Sequence, residues 1–187
     1  MLTPEHLAQL VTARDLSKKV RRAIAVATFD GYAIGAFAVV TLLTGLTDSS
    51  ALLLGIVMAV VAFVEIRAGN QLRRLELLAP RTLAINQLAL AAVLILYAVS
   101  RLIASRSAPS AYADYIAADP ELGKMLVPID DLTRQMTVYF YAGLIAIAVV
   151  AQGGMALYYY TRPRYLRAYL AQTPTWIIEM QRAGIRL

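Results

Sequence analysis

Apolar residues in this chain fall into four long runs rather than a short repeating pattern. The runs cover residues 23–46, 51–68, 82–104 and 139–160. Each approaches the ~20 residues that a helix needs to cross ~30 Å of hydrocarbon. Inside a bilayer every backbone N–H and C=O must be bonded within the structure, so such runs are helices unless a barrel closes. Short alternating strands separated by turns are absent from the pattern. The sequence therefore predicts an all-α membrane protein: an antiparallel four-helix transmembrane bundle with interfacial amphipathic helices at both termini.

The intervening segments set the domain organisation. Residues 1–22 read as an N-terminal helix opened by Thr3, Pro4 and Glu5, a cap, a first-turn proline and a first-turn acid. Its Leu7, Leu10 and Val11 share a face, which places it on the membrane surface before the basic cluster at Lys18–Arg22. Spans 1 and 2 form a tight hairpin. Span 2 should continue as helix past residue 69, with Arg73 and Glu76 spaced i,i+3, until Pro80 interrupts it. Residues 105–134 form the long loop, lying on the bilayer or covering the bundle. A short helix is expected near Pro120–Leu126, and Asp130-Asp131 should start the helix of span 4. Residues 161–187 form a second amphipathic tail. There Trp176, Ile177 and Met180, with Arg164 and Arg167, are expected at the membrane surface.

Charge supplies the orientation. The formal net charge is +6, but the basic residues are not arranged as a nucleic-acid module. Arg14, Lys18, Lys19, Arg21 and Arg22 precede span 1, and Arg67, Arg73, Arg74 and Arg81 flank the span 2–3 connection. Arg162, Arg164, Arg167, Arg182 and Arg186 follow span 4. The opposite side holds only Arg101, Arg106, Lys124 and Arg134, accompanied by acids. The positive-inside rule then predicts cytoplasmic termini, and composition alone suggests a cytoplasmic (inner) membrane as the expected location. The expected partners are the lipid bilayer with its anionic headgroups, together with further copies of the chain or other membrane subunits.

Composition removes several chemistries. The chain has no cysteine and one histidine, His6, outside the spans. Thiolate sites and a histidine-built metal or haem centre within one chain are thereby excluded. No hydrolase, nucleotide-binding or metalloprotease motif is present. No cofactor is expected, and the aromatic residues bordering span 4 read as interfacial belts.

Intramembrane polar residues are the remaining candidates. Asp30 lies seven residues into span 1, roughly 10 Å along the helix. Glu65 at the end of span 2, Asn86 and Gln87 in span 3, and Gln152 in span 4 fall at comparable depth. Two readings follow. These groups can be interhelical glue, or Asp30 and Glu65 can bind a proton, cation or cationic substrate. Ala23, Ala27, Gly31 and Gly35 make a small-residue stripe suited to close helix packing within the bundle. Gln152-Gly153-Gly154 marks a kink or unwound turn in span 4. The leading expectation is a non-enzymatic assembly, scaffold or accessory subunit. The alternative is a small oligomeric transporter or channel using Asp30.

Overall fold

The structure is a computed structural model that describes residues 3–46, 48–110 and 112–185. Arg186, counted above with the basic termini, lies outside these residues. Four helical segments are long and apolar enough to cross a membrane, so this is a membrane-embedded protein. Helix α1 runs from Pro4 to Thr44, α2 from Ser49 to Arg73 and α3 from Ala79 to Ser107. A short α4 (Ala113–Ala118) precedes α5 (Pro120–Ile147). A π-helical turn at Ala148–Gln152 leads into α6 (Gly153–Tyr160), α7 (Arg162–Gln172) and α8 (Thr175–Arg182).

Thr3 caps α1 as expected, accepting from the His6 N–H while His6 Nδ1 accepts from the Thr3 N–H. Beyond the cap, the helix passes the basic cluster without a break. Residues 4–22 are therefore a collinear extension of span 1, and the boundary at Ala23 is one of hydropathy alone.

Helix α1 packs on α2 along its whole apolar length. A Cβ at Gly69 would touch Ala27, at Gly31 Ile66 and Glu65, at Gly35 Ala62, and at Gly55 Leu42. Residue numbers thus rise along one helix as they fall along the other. The stripe Ala23, Ala27, Gly31 and Gly35 turns toward this seam, with Ala23 and Ala27 fully buried. It meets a complementary row on α2, Gly55, Ala62 and Gly69, repeating every seven residues. Helix α3 packs on α2 from one side and on α5, the π turn and α6 from the other.

The α2–α3 connection departs from expectation. Helix α2 stops at Arg73, and Leu75 adopts a left-handed backbone (φ 61°). Leu75 N–H donates to Leu72 O at 3.0 Å and Glu76 N–H to Gln71 O at 3.1 Å. This is a Schellman cap with leucine where glycine is favoured. A left-handed leucine costs roughly 1–2 kcal/mol, and burial of its side chain (4% exposed) offsets that cost. Glu76 is thereby outside the helix and does not pair with Arg73, whose guanidinium donates to Thr28 Oγ1 at 3.0 Å. Pro80 sits in the first turn of α3.

Span 4 begins much earlier than the sequence pattern suggests. Asp119 caps α5 by accepting from the Glu121 and Leu122 N–H groups, and the helix then runs unbroken through Pro128 and Asp130-Asp131. Those two acids are mid-helix, where Asp130 accepts from Arg134 Nε at 3.0 Å. Proline inside the helix removes one ladder bond, and the helix tolerates it here. Arg134 also donates to Ala108 O, so residues 120–133 project beyond the end of α3. Helix α4 leans on that projection, with Ile116 against Gly123, rather than covering the other spans.

Two apolar cores result. One, at the end holding both termini, joins Val20, Leu72, Leu83, Tyr159, Leu166, Tyr169 and Ile177. The other, deeper along α1–α3, contains Ile34, Met58, Val61 and Leu90. Ile177 corrects the sequence reading. It is fully buried, because α8 turns its apolar face onto the protein and not onto lipid. Trp176 is half-buried and donates from Nε1 to Gln9 Oε1 at 3.1 Å, with its ring edge-on to His6. Gly143 provides a test of the lipid-facing helix. A Cβ there would meet nothing within 4 Å, so Gly143→Ala is expected to stabilise by about 0.5–1 kcal/mol. Thermal unfolding in detergent checks this, and a loss of stability would mean that α5 is contacted on that face.

Candidate functional site

At the seam between the two cores, α1, α2 and α3 bring their polar side chains together. Small residues make this possible: Gly31, adjacent to Asp30, lets α2 approach closely enough that its hypothetical Cβ would lie 3.4 Å from Glu65 Cβ. Glu65 and Gln87 are fully buried and Asn86 nearly so. Asn86 Nδ2 donates to Glu65 Oε2 at 2.7 Å and to Val61 O at 3.0 Å. Gln87 Nε2 donates to Glu65 Oε1 at 3.0 Å and also to Asp30 Oδ2. One carboxamide therefore bridges carboxylates from two different helices. Both Glu65 oxygens are engaged by α3, and no Lys or Arg forms an ion pair with Asp30 or Glu65 among the described residues.

Chemically, this is a pair of side-chain carboxyl groups bridged and bonded by amide N–H donors. Such an arrangement can hold a shared proton or a small cation, and it also ties three helices together. In a low-dielectric setting an unbonded carboxylate is costly, so each donor matters.

The fourth span contributes differently from expectation. Gln152 does not join the cluster. It lies in the π turn, and its Oε1 is buried without a hydrogen-bond partner. The residue of this span that reaches the site is Tyr159, about 10 Å further along the helix. Its ring is fully buried and its hydroxyl faces Glu65 without a well-formed hydrogen bond. As one of three consecutive tyrosines at a span end, it is indistinguishable in sequence from an interfacial belt residue. The kink expected at Gln152-Gly153-Gly154 takes the form of a wider turn, not an unwound one.

A second polar contact closes the opposite end. Asp48 caps α2 by accepting from Ser50 N–H and Oγ–H at 2.9 and 2.6 Å. Arg101 of α3 donates to Asp48 Oδ2 at 3.1 Å. The Ser50 bonds, with a smaller contribution from Arg101, hold the Asp48 carboxyl below its ordinary range. Beside this latch, a cleft of about 650 Å³ separates α3 from α5, lined by Arg101, Ser105, Thr133, Thr137 and Tyr141 among others.

No protein-family model, curated protein or solved structure matches this chain.

Proposed function

We propose that the protein is a non-enzymatic integral membrane subunit, an assembly, scaffold or accessory component of a membrane complex. Its architecture is read as an antiparallel four-helix bundle with both termini in the cytoplasm of an inner membrane. The observation that carries this reading is the long α5. It projects past the end of α3 with Leu122, Met125, Ile129 and Leu132 exposed along one side. An apolar helix face extending beyond its neighbours is suited to a partner subunit. The polar cluster then acts as interhelical glue, making α1–α3 a fixed platform for that face.

The experiment is native mass spectrometry of the protein extracted gently from its own membrane, with photo-crosslinkers at Met125 and Leu132. A complex of fixed stoichiometry, crosslinked through those positions, is expected. A monomer crosslinked only to lipid would sink the proposal.

A second reading has its own support: two carboxylates share one amide donor, and neither forms an ion pair with a Lys or Arg among the described residues. On that reading the protein is a small oligomeric transporter or channel whose proton, cation or cationic substrate meets Asp30. Asp30→Asn then abolishes flux in reconstituted vesicles while leaving the fold intact. The scaffold reading expects the same variant to assemble normally.

A further inference from the structure

The cations at the two ends of the bundle are handled differently. At the end where α3 meets α5, three of the four cations, Arg101, Lys124 and Arg134, each pair with a carboxylate of the protein, while Arg106 forms no ion pair among the described residues. At the terminal end, the only ion pair among the described residues is Lys18 with Asp15. Three cations there are gathered around a single ring. Lys19 Nζ lies 4.2 Å from the Tyr165 ring centre, and the guanidinium carbons of Arg164 and Arg162 lie 4.7 and 5.5 Å from it. Arg162 also stacks on Tyr158 at 3.6 Å, and Arg164 donates to the Tyr165 hydroxyl at 2.9 Å. The aromatic faces attract these cations but carry no net charge to neutralise them. Arg162 Nε is buried with no hydrogen-bond partner.

The location indicates which anion these cations can meet. Lys19 precedes span 1 by one helical turn, and Arg162 and Arg164 follow Tyr160 within about 6 Å of helix. That is the level of headgroup phosphates. Running into the membrane from Arg164 along the same helix face are Tyr160, Leu157, Gly154 and Val150. Tyr160, Leu157 and Val150 are exposed large apolar residues, and a Cβ on Gly154 would meet nothing within 4 Å. An acyl chain can lie along this stripe, with the glycine leaving a shallow notch, while its phosphate reaches the cations.

From this we infer that Lys19, Arg162 and Arg164, arranged around Tyr165, form a discrete binding site for the phosphate of an anionic phospholipid whose chain follows α6. The site requires the membrane-embedded reading but neither functional reading above, so its failure leaves both of those standing.

The test uses the full chain in mixed micelles of phosphatidylcholine and phosphatidylglycerol, with retained lipids counted by native mass spectrometry. The wild type is expected to hold one phosphatidylglycerol in preference to phosphatidylcholine. Lys19→Gln with Arg164→Gln, which leaves the Arg162–Tyr158 stack in place, should reduce that preference about tenfold or more. Arg14→Gln with Arg22→Gln removes the same charge elsewhere and should leave it unchanged. Gly154→Leu should weaken retention of the diacyl lipid. Equal loss in both double variants would reduce the effect to net charge and overturn the site. Displacement of the lipid by millimolar inorganic phosphate, with Gly154→Leu silent, would make it a soluble-anion site and overturn the lipid assignment.

Discussion

Gln87→Leu is expected to lower the unfolding free energy in detergent by about 2–3 kcal/mol, the cost of stranding buried acceptors. The substitution keeps the size of the side chain and removes both hydrogen bonds from Gln87 Nε2. It also removes the buried Gln87 Oε1, which has no hydrogen-bond partner among the described residues and whose removal offsets part of the cost. Glu65 keeps Asn86 as a donor, whereas Asp30 loses its donor from α3. Most of the cost therefore falls on the α1–α3 contact. The double variant Asp30→Ala with Gln87→Leu should be less destabilised than the two single variants taken together, because removing the acceptor also removes the penalty. Additive costs would show that the bridge carries no coupling. An unchanged melting temperature for Gln87→Leu, combined with a loss of flux in vesicles, would transfer the cluster from glue to transport.

Gly45→Ala should be more damaging than a single methyl group suggests. A Cβ there would lie 2.5 Å from the Leu52 backbone N and 2.6 Å from its Cα. Gly45 has an ordinary right-handed backbone (φ −74°), so its requirement is space alone. Because the obstructing atoms are main chain in the first turns of α2, no rotamer change relieves the clash and the hairpin must open. Overpacking typically costs about 1–3 kcal/mol, and this variant belongs at the upper end. Gly35→Ala is the matched control: its Cβ would sit 3.7 Å from Ala62 Cβ, in ordinary contact. Thermal unfolding of the two variants side by side checks the contrast. Equal stability would mean that the α1–α2 turn is looser than described.

The four spans were legible because their lengths are dictated by bilayer thickness, a constraint acting on each run independently. The meeting of Asp30, Glu65, Asn86 and Gln87 was legible for a related reason. Helical rise converts sequence position into depth, and polar groups at equal depth in adjacent spans tend to meet. Azimuth is not encoded in this way, which is why Gln152 was misplaced and Tyr159 missed. Local capping signals also misled: Asp130-Asp131 resembles a helix start, but Asp119 had already supplied one, and a helix once started continues through Pro128. The destination of Ile177 was hidden because an apolar face on a short helix looks the same whether it meets lipid or protein. Leu75 had no readable signal, since what offsets its left-handed backbone is burial of its side chain in a core assembled from distant helices.

Helix α1 is one uninterrupted rod of 41 residues, about 60 Å long. Its apolar half is seated against α2, and its outer half is clasped by α7 and α8 through Lys19, Gln9 and His6. Without a hinge between the halves, the outer part must follow the inner. Spanning helices adjust to thinner or thicker bilayers by tilting. A tilt of ~10° about the far end of such a rod would swing its Thr3 tip by roughly 10 Å. The terminal helices clasping it would travel with it, making bilayer thickness a mechanical input to whatever docks on that end.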